Sequence, residues 1–236
     1  MTEHRDRRVV VTGVGAISPL GLTFAETWVG IIAGKSGIGP ITRFNAAGFE
    51  TTFAGEVRGF DPGGVLGKKD ARRMDRYTQF AVAASLEASA MAGLVGAIPD
   101  PTRAGVLMGT GMGAMETLEA GAETLATQGP RRLSPFFAPM VLPNMAAGMT
   151  AIALGAKGPC VATASACASA AHAIGEAVLM IRADRADIMF AGGIRRPDHK
   201  TRHRRLQRDG RAVDAKRSPR ARQSAVRPQP GWLCPG

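Results

Sequence analysis

Aromatic side chains are scarce in this chain, with one tyrosine, two tryptophans and nine phenylalanines among 236 residues. Rings therefore cannot fill its interior. The 30 glycines and the many alanines point instead to helices and strands that approach closely on small side chains. Cysteine is equally sparse. Cys160, Cys167 and Cys234 match neither a disulfide framework nor a zinc-ligand spacing. No apolar run reaches the roughly 18 residues that span a bilayer, which argues against a membrane partner. The charged start, Met1-Thr-Glu-His-Arg-Asp-Arg-Arg8, leads straight into a β-branched run and argues against a signal peptide. Together these absences predict a cytoplasmic protein that binds no metal or other cofactor. With 45% hydrophobic residues, the chain has enough apolar surface for one good-sized domain, two at most.

Acidic residues run short in one place only. The net charge of +11 is not spread along the chain. Residues 1–194 hold 17 Lys and Arg against 16 Asp and Glu, whereas residues 195–236 hold 13 against 3. The last segment has no apolar period and is rich in Arg, Pro, Gln and Ser, so it cannot offset the entropy of ordering. The expected organisation is a domain over 1–194 followed by a basic, disordered tail over 195–236. That tail raises one alternative reading, nucleic-acid binding. Its only potential stacking aromatic is Trp232.

The domain alternates between strand and helix signals. The run Arg8-Val-Val-Val-Thr12 has strand character. Thr23 is placed to cap a helix over Phe24–Ala33, with Glu26 completing a capping box. Apolar residues at helical spacing predict a helix over Asp75–Ala92. Arg103–Met108, Pro159–Ala162 and Ala186–Ala191 read as strands. Glu116–Thr127, Ala146–Leu154 and Ala168–Arg182 read as helices. Such alternation predicts an α/β fold, a mixed but mostly parallel sheet covered by helices.

Two glycine clusters, Gly13-Val-Gly15 and Gly109-Thr-Gly-Met-Gly113, are assigned to turn geometry. The first lacks the third glycine of a dinucleotide-binding loop, and no acidic residue follows at the required distance. A Gly-x-Ser-x-Gly hydrolase elbow is absent.

The stretch Gly158-Pro-Cys-Val-Ala-Thr-Ala-Ser-Ala-Cys-Ala-Ser-Ala-Ala-His-Ala-Ile174 carries the chemistry. A strand ends near Ala162, very small residues follow, and a helix begins close to Cys167. A thiol at a helix N-terminus faces unpaired N–H groups and the positive end of the helix dipole, which favour the thiolate. Its own N–H can help hold an oxyanion when a thioester carbonyl is attacked. A buried structural cysteine remains the competing reading of the chemistry alone. Cys160, within a strand, reads as structural, and Cys234 has no expected role. His172 lies five residues past Cys167, off its helical face, and reads as structural. Lys68-Lys69 and Arg72-Arg73 form either a solvated helix face or a docking patch for an acidic partner.

Thr163-Ala-Ser-Ala-Cys-Ala-Ser169 resembles the active-site cysteine signature of β-ketoacyl-acyl-carrier-protein synthases. Val9–Gly15 with Ser18–Gly21, Phe53–Val57, Arg72–Asp75 and Gly109–Gly113 are similar to further landmarks of that family. So are Ser134–Phe137, Pro143–Met145 and Ala191–Gly193. The set is most similar to the elongating, bacterial type II branch and covers Arg8 to Gly193. The resemblance implies the amino-terminal half of a thiolase-like fold, a homodimer, and acyl carrier protein as partner in its acyl and malonyl forms. It implies a decarboxylative Claisen condensation in fatty acid biosynthesis, with Cys167 as the acyl-accepting nucleophile and its N–H as half of the oxyanion hole. The family's two catalytic histidines and its lysine belong to a region beyond Gly193 whose motifs are missing here. Back-translated with GC-rich codons and read one base over, the segment from Asp198 can give family-like stretches. A frameshift near Gly193–Arg196 is therefore expected, leaving a fragment that does not condense. The alternative is a non-catalytic scaffold that dimerises with an intact synthase.

Overall fold

Thr23 stands in extended backbone and accepts the N–H of Glu26 on its hydroxyl at 3.2 Å, which starts helix α1 (Phe24–Ile32) at the expected residue. The structure, a computed structural model, describes residues 7–96 and 98–195. The capping box closes in altered form: the Glu26 carboxylate reaches back to the N–H of Leu22, at 2.7 Å, rather than to that of Thr23. Strands β1 (Ile38–Pro40) and β2 (Phe53–Gly55) pair as a two-stranded ribbon. Residues 39–54 form a small unit of their own, in which Phe44 and Phe49 meet edge to face at 5.5 Å. The main unit holds the remaining described residues. Its elements continue with the short helices α2 (Pro62–Leu66) and α3 (Lys68–Ala71), then the long helix α4 (Arg76–Met91). Strand β3 (Ala104–Thr110), α5 (Met115–Gln128), α6 (Phe137–Val141) and α7 (Met145–Leu154) follow. Strand β4 (Cys160–Thr163), α8 (Ser169–Arg182) and β5 (Ile188–Ile194) complete the order.

The three long-range strands are parallel in the order β4-β3-β5, with Val106 opposite both Cys160 and Phe190. Every residue of the central β3 is buried, as expected of a strand with neighbours on both edges and helices on both faces. The side-chain period of two sorts those faces. Val106 and Met108 turn toward Tyr77 and Ala81 of α4 and Ala146 and Ala147 of α7, joined by Phe190 and Ile194 of β5. Gly109 and Gly193 turn the other way, toward α8. Most of this core is alanine, valine and methionine, with Tyr77 and Phe190 the rings among its buried members, in keeping with the composition.

Helix α4 is anchored at its start by Asp75, which is 3% exposed. One Asp75 oxygen accepts the N–H of Tyr77 at 3.0 Å, and the other accepts the Thr117 hydroxyl at 2.5 Å. The Tyr77 hydroxyl donates to the carbonyl of Leu142 at 2.7 Å, and burial pushes its pKa up.

The run Val9–Thr12 departs from its strand expectation. It belongs to no sheet among the described residues, and Val10 and Val11 are 62% and 84% exposed. β-branched residues favour a strand only where an edge is offered to them, and here none is taken. The segment beyond it lies instead along α4. A Cβ on Gly15 would stand 1.9 Å from the carbonyl oxygen of Ala84, and one on Gly13 would stand 2.2 Å from that of Ala88. Neither glycine has a positive φ, so turn geometry does not explain this pair; close packing on a helix does. The tail expected over 195–236 lies, after Arg195, outside the described residues.

Candidate active site

Parallel strands bring their carboxyl ends to one edge of a sheet, and here the loops that follow carry the candidate chemistry. β4 ends at Thr163, and six residues later, at Ser169, the chain enters α8. Cys167 occupies the middle of a single 3₁₀ turn, Ala166–Ala168, immediately before that helix and exposed at the surface. The sequence placed it near the helix start; the structure puts it just outside, on the tightened entry turn.

Three hydroxyls hold this turn. The Ser169 hydroxyl, on a residue only 2% exposed, accepts the N–H of Ser165 at 2.9 Å and donates to the carbonyl of Ala166 at 2.8 Å. The Thr163 hydroxyl donates to the carbonyl of Ser169 at 2.9 Å. The Ser165 hydroxyl meets Nδ1 of His172 at 2.6 Å. Ala166, directly before the cysteine, has a φ of 51°, a left-handed conformation that costs a residue with a Cβ about 1 kcal/mol. The hydroxyl bonds on either side of it sustain that conformation.

Glycines let the turn sit close against the sheet. A Cβ on Gly109 would lie 2.2 Å from the Ser169 carbonyl oxygen, and one on Gly193 would lie 2.2 Å from the Cβ of Ala170. The cluster Gly109–Gly113 thus serves two purposes. Gly113, with a φ of 62°, makes a turn, while Gly109 and Gly111 make room for the cysteine-bearing segment.

Cys160 is at the surface of β4, yet neighbouring atoms withdraw enough water from its sulfur to push the thiol's pKa up. That makes it a poorer nucleophile at neutral pH. His172 is exposed and bonded to Ser165, a pairing that helical-face reasoning missed because Ser165 lies outside the helix. The sequence signal was present as hydroxyl residues four and two positions before Cys167 and two positions after it. Lys68, Lys69, Arg72 and Arg73 are exposed, with the Arg73 guanidinium 4.9 Å from the centre of the Phe136 ring. Among the described residues no three His, Cys, Asp or Glu side chains gather as a metal site. Nor is any helix among them long and apolar enough to cross a membrane.

The family model for the β-ketoacyl synthase amino-terminal domain matches residues 6–229. The 3-oxoacyl-(acyl-carrier-protein) synthase 2 of Synechocystis sp. is 47% identical over 193 residues, which are 82% of this chain and 46% of that protein. The synthase of the same name from Staphylococcus aureus is 45% identical over 195 residues, 82% of this chain and 47% of its own length. The chain spans about half the length of the curated relatives it matches. Among solved structures, the ishigamide ketosynthase/chain length factor superposes with a TM-score of 0.78 at 32% identity, covering 87% of this chain and 51% of its own. A β-ketoacyl synthase from Burkholderia phymatum superposes with a TM-score of 0.72 at 26% identity, covering 95% of this chain and 54% of its own.

Proposed function

Because the chain belongs to the β-ketoacyl synthase family, by its amino-terminal domain, we propose that Cys167 accepts an acyl group from acyl carrier protein. The observation that carries this is the placement of Cys167: exposed, on a tight entry turn to α8, at the carboxyl ends of the parallel strands. In the step proposed, the Cys167 thiolate attacks the thioester carbonyl and the carbonyl oxygen takes up negative charge. The Cys167 N–H stabilises that oxyanion, the carbon–sulfur bond of the donor breaks, and the departing thiolate takes a proton from solvent. Malonyl-carrier protein is the proposed partner of the second, condensing step. The histidines that the family uses there belong to motifs this chain lacks beyond Gly193. The chain alone is therefore proposed to be acylated and not to condense.

Exposed Lys68, Lys69, Arg72 and Arg73 form a basic surface that suits an acidic carrier protein, since complementary charge steers encounter. A homodimer is proposed as well: β4 is an edge strand of the described sheet and its Val161 is 40% exposed. The division into a domain over 1–194 and a frameshifted tail over 195–236 also stands as a proposal, to be checked by sequencing genomic DNA across the codons for Gly192–Arg196.

The proposal is tested by incubating the purified chain with a long-chain acyl-carrier protein and mapping the adduct by peptide mass spectrometry. An acyl group on Cys167, absent in Cys167→Ala, is the expected result. An adduct confined to Cys160, or none in either protein, would sink the reading.

A further inference from the structure

The hydrogen bond between Ser165 and His172 straddles the proposed nucleophile. Ser165 stands two residues before Cys167 on the limb leaving β4, and His172 stands five residues after it in the first turn of α8. Their side chains meet at 2.6 Å, closing a ring of chain around the cysteine. The other bonds of the turn are made by Ser169 and Thr163 to backbone atoms. Those fix the path of the chain between Thr163 and Ser169. They tie the limb to Ser169, the first residue of α8, and the bond from the Ser165 side chain to His172 extends that tie three residues further into the helix.

That tie has something to hold. Ala166 sits at a φ of 51° between Ser165 and Cys167, and a residue with a Cβ relaxes out of this region unless its surroundings prevent it. Relaxation at Ala166 would rotate the next residue, and with it the Cys167 sulfur and N–H. The serine hydroxyl can donate to an unprotonated Nδ1 or accept from a protonated one, so the link survives either state of the ring.

We propose that Ser165 and His172 form a positioning clamp for Cys167, setting the direction of its sulfur and its N–H without touching the substrate. This rests on Cys167 being the acyl acceptor, and the experiment separates the two ideas. Ser165→Ala, His172→Ala, the double variant and His172→Asn are compared with the unaltered chain. Two rates are read: acylation of Cys167 by an acyl N-acetylcysteamine thioester, and iodoacetamide alkylation of Cys167 relative to Cys160 in the same sample. Cys160 lies in β4, outside the turn, and reports general loosening of the sheet.

Each single alanine variant is expected to slow acylation about tenfold, as misorienting a reacting group by a fraction of an ångström does. The double variant should be no slower than either single one, because all three lack the same bond. His172→Asn, whose amide places a polar atom near the position of Nδ1, should recover most of the rate. Unchanged acylation in the single variants, additive losses in the double one, or a parallel change at Cys160 would overturn the clamp. If the unaltered chain takes no acyl group at Cys167, the proposed function fails instead. The alkylation ratio then still decides the clamp: equal departures in both single variants support it, and no departure removes it.

Discussion

Glu87 sits part-way along α4 with each carboxylate oxygen taking a different backbone N–H, that of Ala16 at 2.9 Å and that of Phe24 at 2.7 Å. One side chain thereby staples the segment after Gly15 and the start of α1 to a single helix. Bonds of this kind to a charged acceptor are each worth about 1.5–3 kcal/mol net, less where water reaches them. Glu87→Ala should therefore lower the unfolding free energy by about 2 kcal/mol, read by urea denaturation. Glu87→Gln, which can keep one acceptor, should cost less. Equal stability of Glu87→Ala and the unaltered chain would show that the staple contributes nothing.

At the scale of elements, the spacing between the sheet and α8 is set by residues that have no side chain. Gly109 places the end of β3 against the carbonyl of Ser169, and a methyl group there would overlap that oxygen. Gly109→Ala must push the cysteine-bearing turn off the sheet. It should cost about 1–3 kcal/mol of stability, the usual range for overpacking. Acylation of Cys167 should fall with it. Gly175 is the internal contrast, in the same helix but with no atom within 4 Å of where a methyl group would stand. There Gly175→Ala should stabilise by about 1 kcal/mol through helix propensity. Thermal unfolding of the two variants should shift in opposite directions, and a shift in the same direction would refute the packing argument.

Much of this layer was legible in the sequence. The helix expected over Asp75–Ala92 is observed as Arg76–Met91, with Asp75 and Ala92 as its caps, because a capping carboxylate and an apolar period act locally. The strands expected around Arg103, Pro159 and Ala186 all form, shifted by one to two residues at their starts. The glycines of Gly13–Gly15 were legible as a signal but not in meaning. A glycine that answers to a helix some seventy residues away looks the same in sequence as one that makes a turn.

For the whole molecule, the beginning of the described chain is tied to its end by charge. Arg7 bonds Asp184 at 2.7 Å and Asp187 at 2.5 Å, and Arg103 pairs with both of the same carboxylates. Arg103, and next Arg7, hold the Asp187 carboxyl well below the usual carboxylate range. A carboxylate whose folded pKa is depressed adds stability that is fully present above its unfolded pKa, about 3.9. That contribution is lost as the pH falls from there toward the folded value. Thermal unfolding followed from pH 6 to pH 3 should show the loss in the unaltered chain and a flatter acid limb in Asp187→Asn. Identical acid limbs would rule Asp187 out as a contributor.

What the sequence by itself determined is what local chemistry settles: where the helices start, that the runs after Arg103, Pro159 and Ala186 are strands, and that a cysteine amid small residues marks the end of a strand and the entry to a helix. Only the tertiary structure decided the rest. Val9–Thr12 has every local preference of a strand, yet a strand also requires a partner, and neither edge of the described sheet pairs with it. Ser165 and His172 meet across a left-handed Ala166, and Arg103 meets Asp184 and Asp187 because β3 and β5 lie side by side. Contacts between residues far apart in the chain depend on the path between them, and no local pattern encodes that path.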